Sequence, residues 1–104
     1  RSKGSDTFAP IGPKIVDDLD TSNLRIQSFI NGIKKQDSTT SDRILSDYEC
    51  VELVSKFMRL FPGDIIFTGT PAGATNALVK PGDKVTIEIE SIGKITNSIK
   101  IQNI

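Results

Sequence analysis

The sequence contains no histidine and no tryptophan, and it has one cysteine, one methionine and one tyrosine among its 104 residues. Without histidine, the chain cannot assemble a Ser-His-Asp triad or a histidine-activated cysteine from its own residues, and it lacks a usual zinc ligand. The lone Cys50 cannot form an internal disulfide, which fits a reducing compartment. Because it lies in a helical pattern, we expect it to be a buried, inert thiol.

The charge balance and the apolar pattern exclude two further classes of protein. Thirteen Lys and Arg residues balance thirteen Asp and Glu residues, so no net field draws the chain to nucleic acid or to an anionic membrane. No apolar run approaches the length that spans a bilayer, and no signal peptide is visible. We therefore expect a cytoplasmic protein, or an organellar one if a targeting segment precedes Arg1.

The alternation of apolar and polar residues predicts an α+β chain that is mostly β, with one main helix. Asn31-Gly32 separates two extended runs and indicates a type I′ hairpin, because both residues tolerate positive φ. The last two strands flank Ser91 to Gly93 and indicate a second hairpin. Strands are predicted at residues 14–16, 24–30, 33–36, 65–67, 84–90 and 94–101.

The main helix is predicted from Asp47 to Leu60. Ser46 and Glu49 have the spacing of a capping box, in which the side chain of each bonds to the backbone N–H of the other. Pro62-Gly63 then ends the helical pattern. Apolar residues recur at helical spacing and predict a face packed in a core: Cys50, Val51, Leu53, Val54, Phe57, Met58 and Phe61.

Residues 1–13 are rich in glycine and proline, which is typical of a loop. Lys3, Asp6 and Thr7 place an ammonium, a carboxylate and a hydroxyl close together, which suits the binding of an anion or a carbonyl group. An ordinary exposed loop explains the same residues, and composition alone favours that interpretation.

The segment from Phe67 to Gly73 follows a predicted strand and is the second candidate site. Gly69 lets the backbone approach a ligand closely, and Thr70 offers a hydroxyl and an N–H at the end of the strand. The Gly-Lys-Ser/Thr ending of a P-loop is missing. Taken alone, the segment is a turn with little functional signal.

Glu88 and Glu90 lie two apart on a predicted strand, so both carboxylates would point to one face. Such a pair can chelate a hard divalent cation. A solvated strand face neutralised by Lys84 and Lys94 is the interpretation we prefer. A further polar segment, residues 36–42, is predicted to be a loop leading into the helix.

Taken in order, these motifs resemble those of one family. Lys-Gly-x-Asp-Thr-Phe-x-Pro-x-Gly-Pro begins at residue 3, Ile-Asn-Gly and Gln-Asp lie within residues 30–37, and Thr-Ser-Asp occupies 40–42. The long string Pro-Gly-Asp-Ile-Ile-x-Thr-Gly-Thr-Pro-Ala-Gly occupies 62–73, and Lys-Pro-Gly-Asp follows at 80–83. Over nearly its whole length, 1–104, the chain resembles the C-terminal portion of the catalytic domain of the fumarylacetoacetate hydrolase family.

The resemblance implies part of a mixed β-sandwich roll with few helices, a homodimer, and an enzyme that depends on Mg²⁺ or Mn²⁺. Its substrates would be 2-oxo or 1,3-diketo acids. Family members hydrolyse acylpyruvates, decarboxylate oxaloacetate-like acids or isomerise unsaturated diacids, and the sequence leaves these three reactions open. The shared chemistry is chelation of the substrate's carboxylate and oxo group by a metal that stabilises an enolate-like charge.

The same resemblance assigns residues. Lys3 matches the active-site lysine that would hold a developing oxyanion, Thr7 matches a residue near the metal, and Thr70, with Gly69, matches the turn that contacts the substrate. Ser5 departs from the family, which usually carries an aromatic residue there. The family's metal carboxylates and its histidine–glutamate pair belong to sequence that precedes this segment, so no metal ligand is assigned within the chain.

A second hypothesis is a non-catalytic β-rich module that keeps the fold and serves interaction or assembly. The missing metal ligands motivate it, whereas Lys3 and Thr70 favour the enzyme. The expected partners are a small 2-oxo acid, a second copy of the chain and the N-terminal portion of the domain, upstream or on another chain. Nucleic acid and membrane are not expected as partners.

Overall fold

The computed structural model describes residues 4–101 and contains four strands and one α-helix. The strands are β1 (Arg25–Ile30), β2 (Ile33–Thr39), β3 (Lys84–Ile89) and β4 (Gly93–Ser98), and the helix is α1 (Asp47–Ser55). Two short 3₁₀ turns lie at Thr40–Asp42 and Ala74–Asn76. All strand pairs are antiparallel, in the order β2-β1-β3-β4. The predicted α+β class, mostly β with one main helix, is confirmed.

The β1–β2 hairpin turns at Asn31 and Gly32, as predicted, with φ of 52° and 81°. The Asn31 side chain also ties this turn to the start of β3. Its Nδ2 donates to Asp83 Oδ1 at 2.9 Å, and its Oδ1 accepts from the Lys84 N–H at 2.9 Å. The buried Asp83 accepts from the Lys80 N–H as well, and this bond, followed by that from Asn31, lowers the pKa of its carboxyl group.

Side chains alternate between the two faces of the sheet, and the register makes one face apolar and the other polar. Six aliphatic residues share the apolar face: Ile26, Ile30, Val85, Ile87, Ile89 and Ile95. The other face is mostly polar, with Phe29 as its aromatic member, and carries Arg25, Gln27, Asp37, Thr86, Glu88, Lys94 and Thr96. Four polar residues interrupt the apolar face: Ser28 and Gln36, which pair across β1 and β2, Ser38 opposite Ile26, and Asn97 opposite Val85.

Helix α1 begins as predicted and ends early. The Glu49 N–H donates to Ser46 Oγ at 3.2 Å, and the Ser46 N–H donates to Glu49 Oε1 at 3.1 Å, so the capping box is confirmed. The helix stops at Ser55 rather than Leu60. None of its residues is buried, so it lacks the tertiary packing that normally supports a helix of this length. Its nine residues, and the shorter helical turns among residues 4–101, fall well short of a membrane span.

Arg43 connects the start of α1 to the segment before β1. Its Nε donates to the Thr40 carbonyl at 3.0 Å and its Nη2 to the Thr21 carbonyl at 3.2 Å, while Nη1 pairs with Asp47. The Thr21 hydroxyl donates to the same carboxylate. The Thr21 hydrogen bond, then that of Arg43, lowers the pKa of Asp47.

Two short strands predicted from sequence are absent from residues 4–101. Residues 14–16 and 65–67 are irregular, and Ile15 and Ile65 are exposed. A run of three apolar residues identifies a strand only if a partner strand is present, and here none pairs with them. Conversely, β2 extends to Thr39, so part of the predicted polar loop at 36–42 is strand.

The chain buries little apolar surface. Among residues 4–101, the buried hydrophobic residues are Leu24 (6% exposed) and Ile30 (7%). The face predicted to be a core, around Val51, Leu53 and Phe57, is exposed. The accessible surface is 8653 Å², whereas a compact monomer of this mass exposes about 5,700 Å². This chain therefore exposes roughly 2,900 Å² more than a compact monomer of its mass.

Candidate functional site

The candidate site is built on a pair of buried polar residues in the apolar face of the sheet. Ser28 and Gln36 lie opposite each other on β1 and β2, and the Ser28 hydroxyl donates to Gln36 Oε1 at 2.9 Å. The register shifts directly beside this pair, so Lys35 is an extra residue in β2. A bulge of this kind re-aims neighbouring side chains. Here it brings Gln36, rather than Lys35, opposite Ser28.

Gln36 holds the second candidate segment against the sheet. Its Nε2 donates to Thr70 Oγ1 at 3.1 Å, to the Pro71 carbonyl at 3.0 Å and, at a longer 3.4 Å, to the Ala72 carbonyl. The two N–H bonds of this amide serve Thr70 and Pro71, and the longer contact to Ala72 shares one of them, so a single side chain of β2 holds the Thr-Gly-Thr-Pro-Ala-Gly turn. We call residues 68–73 the TGTP turn.

The TGTP turn lies close to β2 at Gly73. The φ of this glycine is 98°, a conformation that L-residues with a Cβ rarely adopt. A Cβ at this position would lie 3.3 Å from Gln36 Cγ and 3.4 Å from the Lys35 carbonyl oxygen. Glycine is thus required by the backbone and favoured by the close approach. The chain then continues into the 3₁₀ turn Ala74–Asn76, where the Asn76 N–H donates to the Gly73 carbonyl at 3.0 Å.

The structure leaves the predicted substrate-contacting residues accessible. Gly69 and Thr70 are both exposed, and a Cβ built on Gly69 meets no atom within 4 Å. The Thr70 hydroxyl is therefore hydrogen-bonded to Gln36 on the side that faces the sheet, and it is exposed on its other side. This arrangement can present a hydroxyl and backbone groups to a ligand in a fixed orientation.

The loop predicted as the other half of the site is described only in part. Thr7 is exposed, with φ of 66°, in a turn closed by a 3.1 Å hydrogen bond from the Phe8 N–H to the Ser5 carbonyl. Within residues 4–101, no hydrogen bond joins Thr7 to the TGTP turn. Lys3 lies outside the described residues. The assignments of Lys3, Thr7, Gly69 and Thr70 therefore stay predictions.

The Glu88 and Glu90 pair does not form a site. Strand β3 ends at Ile89, so Glu90 lies in the following turn and its N–H donates to the Arg25 carbonyl at 2.9 Å. Glu88 lies opposite Lys94, as predicted, but Lys84 lies opposite Ser98, so neutralisation by Lys84 is wrong. Across residues 4–101 no three acidic, cysteine or histidine side chains are grouped to hold a metal ion.

A separate charged cluster lies on the polar face. Asp37 accepts from Arg25 Nε at 3.0 Å and Nη2 at 2.7 Å, and from Lys34 Nζ at 3.0 Å. The Arg25 hydrogen bonds, followed by that of Lys34, hold the pKa of this carboxyl group well below its usual value. These side chains are partly exposed, so the cluster contributes little to stability. Because Asp37 neighbours Gln36 on the strand, its charge points away from the TGTP turn.

Three relatives show what this chain is similar to. It is 51% identical over 100 residues to an uncharacterised protein of Methanocaldococcus jannaschii, covering 96% of this chain and 41% of the relative. It is 44% identical over 102 residues to a 4-hydroxyphenylacetate degradation bifunctional isomerase/decarboxylase of Salmonella dublin, covering 95% and 23%. It is 40% identical over 105 residues to a mitochondrial oxaloacetate tautomerase of Bos taurus, covering 93% and 33%.

Two solved structures are similar in sequence and in fold. A 5-carboxymethyl-2-hydroxymuconate delta-isomerase from Mycobacterium smegmatis superposes with a TM-score of 0.89 at 42% identity, covering 97% of this chain and 39% of that one. A fumarylpyruvate hydrolase from Pseudomonas aeruginosa, in complex with Mn²⁺ and pyruvate, superposes with a TM-score of 0.71 at 29% identity, covering 78% and 34%. This chain thus spans about two fifths or less of these five proteins.

The model of one protein family, fumarylacetoacetate (FAA) hydrolase C-terminal, matches residues 1–100. The match includes the TGTP turn and the strand that holds it, as well as the loop of Lys3 and Thr7. This chain therefore belongs to the fumarylacetoacetate hydrolase family.

Proposed function

We propose that this chain is the C-terminal part of the catalytic unit of a divalent-metal-dependent enzyme that acts on 2-oxo or 1,3-diketo acids. The reaction is hydrolysis of a C–C bond, decarboxylation, or isomerisation and tautomerisation. The supporting observation is the TGTP turn, whose exposed Thr70 is held in one orientation by the buried Gln36. The oxaloacetate tautomerase and the fumarylpyruvate hydrolase among the relatives support the substrate class, and the isomerase/decarboxylase and the delta-isomerase support the range of reactions.

In this proposal Thr70 and Gly69 contact the substrate, Lys3 holds the developing oxyanion, and Thr7 lies near the metal. The metal, Mg²⁺ or Mn²⁺, would act as the Lewis acid that polarises the oxo group. The Mn²⁺ and pyruvate of the Pseudomonas aeruginosa relative support this chemistry. A preorganised donor such as the Lys3 ammonium acts most strongly where water is excluded.

The described residues do not fit a complete metal site, because no three ligand-type side chains meet. We therefore propose that the metal carboxylates come from the remaining portion of the catalytic domain, upstream in one polypeptide or on a partner chain. The exposed apolar surface around α1, including Tyr48, Phe57 and Met58, supports this, since it would be covered by such a portion or by a second copy in a homodimer. A cytoplasmic location is also proposed, although the bovine relative is mitochondrial.

The test uses the full polypeptide that carries this sequence. Turnover of oxaloacetate and of an acylpyruvate is measured with Mn²⁺, with Mg²⁺ and with a chelator. We expect turnover only with metal, and we expect Lys3→Met to lower it by about 10²- to 10³-fold, as loss of an oxyanion donor does. The matched control is Lys94→Met, since Lys94 is exposed on the polar face of the sheet, opposite Glu88.

Wild-type turnover by Lys3→Met would return this residue to an ordinary loop. If the wild-type full polypeptide bound no divalent metal and converted neither acid, the enzyme proposal would be wrong. A non-catalytic module for interaction or assembly would then be the better description.

A further inference from the structure

The orientation of the Gln36 side-chain amide is fixed by the chemistry of its neighbours. Carbonyl oxygens can only accept hydrogen bonds, and two of them, from Pro71 and Ala72, face one end of the amide. That end must be the NH₂ group. The opposite end, the Oε1 atom, is then left to accept from the Ser28 hydroxyl, which lies 2.9 Å away.

This orientation determines what the Thr70 hydroxyl can do. Because Gln36 Nε2 donates to Thr70 Oγ1, the hydroxyl oxygen is used as an acceptor on the side of the sheet. The hydroxyl proton must therefore point elsewhere. Within residues 4–101 the Thr70 hydroxyl donates to no other residue, and Thr70 is exposed. Its free donor is directed to the open side of the TGTP turn.

We propose that Gln36 is a positioning residue that fixes Thr70 as a hydrogen-bond donor to the carboxylate of the substrate. The inference rests on the proposed function and deepens it, because it gives the turn a preference for an anionic oxygen over a ligand group that itself donates. Gln36 acts through Thr70 and does not contact the ligand. The hydrogen bonds from Gln36 to the Pro71 and Ala72 carbonyls keep the turn in place while the Thr70 hydroxyl binds the substrate.

The variant Gln36→Glu tests this with almost no change of shape. A carboxylate there would face the Pro71 and Ala72 carbonyls and repel them, whereas the protonated acid can still donate one hydrogen bond. Asp37, with Arg25 and Lys34, lies on the other face of the sheet. The adjacent Lys35 is displaced by the bulge and lines a cavity with Ile30 and Asp83, so its ammonium is the charge that would oppose part of any rise in the pKa of an acid at position 36. The substrate affinity of this variant should therefore follow protonation of the introduced acid, whose ordinary pKa is about 4.3 and rises on burial.

The experiment measures the dissociation constant of pyruvate in the Mn²⁺-loaded full polypeptide from pH 5 to pH 8. Relative to wild type at the same pH, we expect Gln36→Glu to bind about 10- to 100-fold more weakly at pH 8, as for loss of a hydrogen bond to a charged group. The difference should shrink towards pH 5. Asn97→Asp, the same amide-to-acid change at an exposed position of β4, should follow wild type throughout.

A second comparison isolates the route through Thr70. Thr70→Val should bind pyruvate weakly with the pH profile of wild type, and adding Gln36→Glu to it should cause little further loss. Hydrogen-exchange rates of the backbone amides of Gly69, Thr70, Ala72 and Gly73, each divided by the wild-type rate at the same pH, report whether the turn has loosened.

A ratio of Gln36→Glu to wild-type affinity that does not change with pH would overturn the inference, even if hydrogen exchange in the turn accelerated. Additive effects of the two substitutions would overturn it as well, since Gln36 would then act independently of Thr70. If wild type bound no pyruvate, the proposed function itself would fail, and the two failures are thereby distinguished.

Discussion

Replacing Gly73 with alanine should lower the free energy of unfolding more than the same change at another glycine of similar backbone conformation. Two separate costs contribute to the loss of stability at Gly73, one from the backbone conformation and one from crowding. A φ of 98° disfavours any residue with a Cβ, by about 1–2 kcal/mol. The new methyl group would also lie 3.3 Å from Gln36 Cγ and 3.4 Å from the Lys35 carbonyl, a crowded contact worth about 1 kcal/mol or more.

The matched control for this prediction is Gly82→Ala. Gly82 has a φ of 93°, and a Cβ there meets no atom within 4 Å, so it carries the backbone term without the steric one. In urea unfolding of the full polypeptide, we expect Gly73→Ala to lower the free energy of unfolding by about 2–3 kcal/mol and Gly82→Ala by about 1–2 kcal/mol. Only Gly73→Ala should also weaken pyruvate binding, because it pushes the TGTP turn away from Gln36.

Equal losses of stability for the two alanine variants would refute the argument that β2 and the TGTP turn are in close contact. Unchanged pyruvate affinity in Gly73→Ala, with the expected loss of stability, would refute the link between that contact and the site.

The remaining predictions concern helix α1. Ser46→Ala removes the hydroxyl that accepts from the Glu49 N–H and should lower the free energy of unfolding by about 1 kcal/mol, whereas Ser55→Ala, past the capping box, should change it less. Asp47 has a folded pKa below its unfolded value, so its contribution to stability is present above the unfolded pKa of about 3.9 and is lost as the pH falls through the folded pKa. Urea unfolding of wild type and Asp47→Asn should therefore differ at pH 6 and converge towards pH 2; a constant difference would contradict the Thr21 and Arg43 hydrogen bonds.

The exposed apolar surface explains why sequence patterning over-predicted regular structure. The stripe of Val51, Phe57 and Met58 has the spacing of a buried helical face, yet these side chains are exposed and the helix ends at Ser55. Helix length depends on packing of the apolar face more than on propensity. The same reason applies to residues 65–67, whose apolar character predicts a strand but which have no partner strand among residues 4–101. Such segments need the rest of a domain to become regular.

Identification of the family needed only the order of motifs along the chain, from Lys3 to the string at 62–73, and the family match over residues 1–100 bears it out. The role of Gln36 could not be found in that way. Counting outward from the Asn31-Gly32 turn places Lys35 opposite Ser28, and it is the bulge that moves Gln36 into this position. One available signal was the polar Ser28 within the otherwise apolar alternation of β1.

The features that the sequence by itself determined are those that depend on interactions between residues close together in the chain. The Asn31-Gly32 turn, the Ser46 and Glu49 capping box and the two hairpins each depend on residues a few positions apart, and all are present in the structure. Tertiary structure alone decided that a side chain of β2 holds a turn 34 residues further along the chain. Such a contact depends on strand register and on one close approach of the backbone at Gly73, and neither leaves a periodic pattern in the sequence.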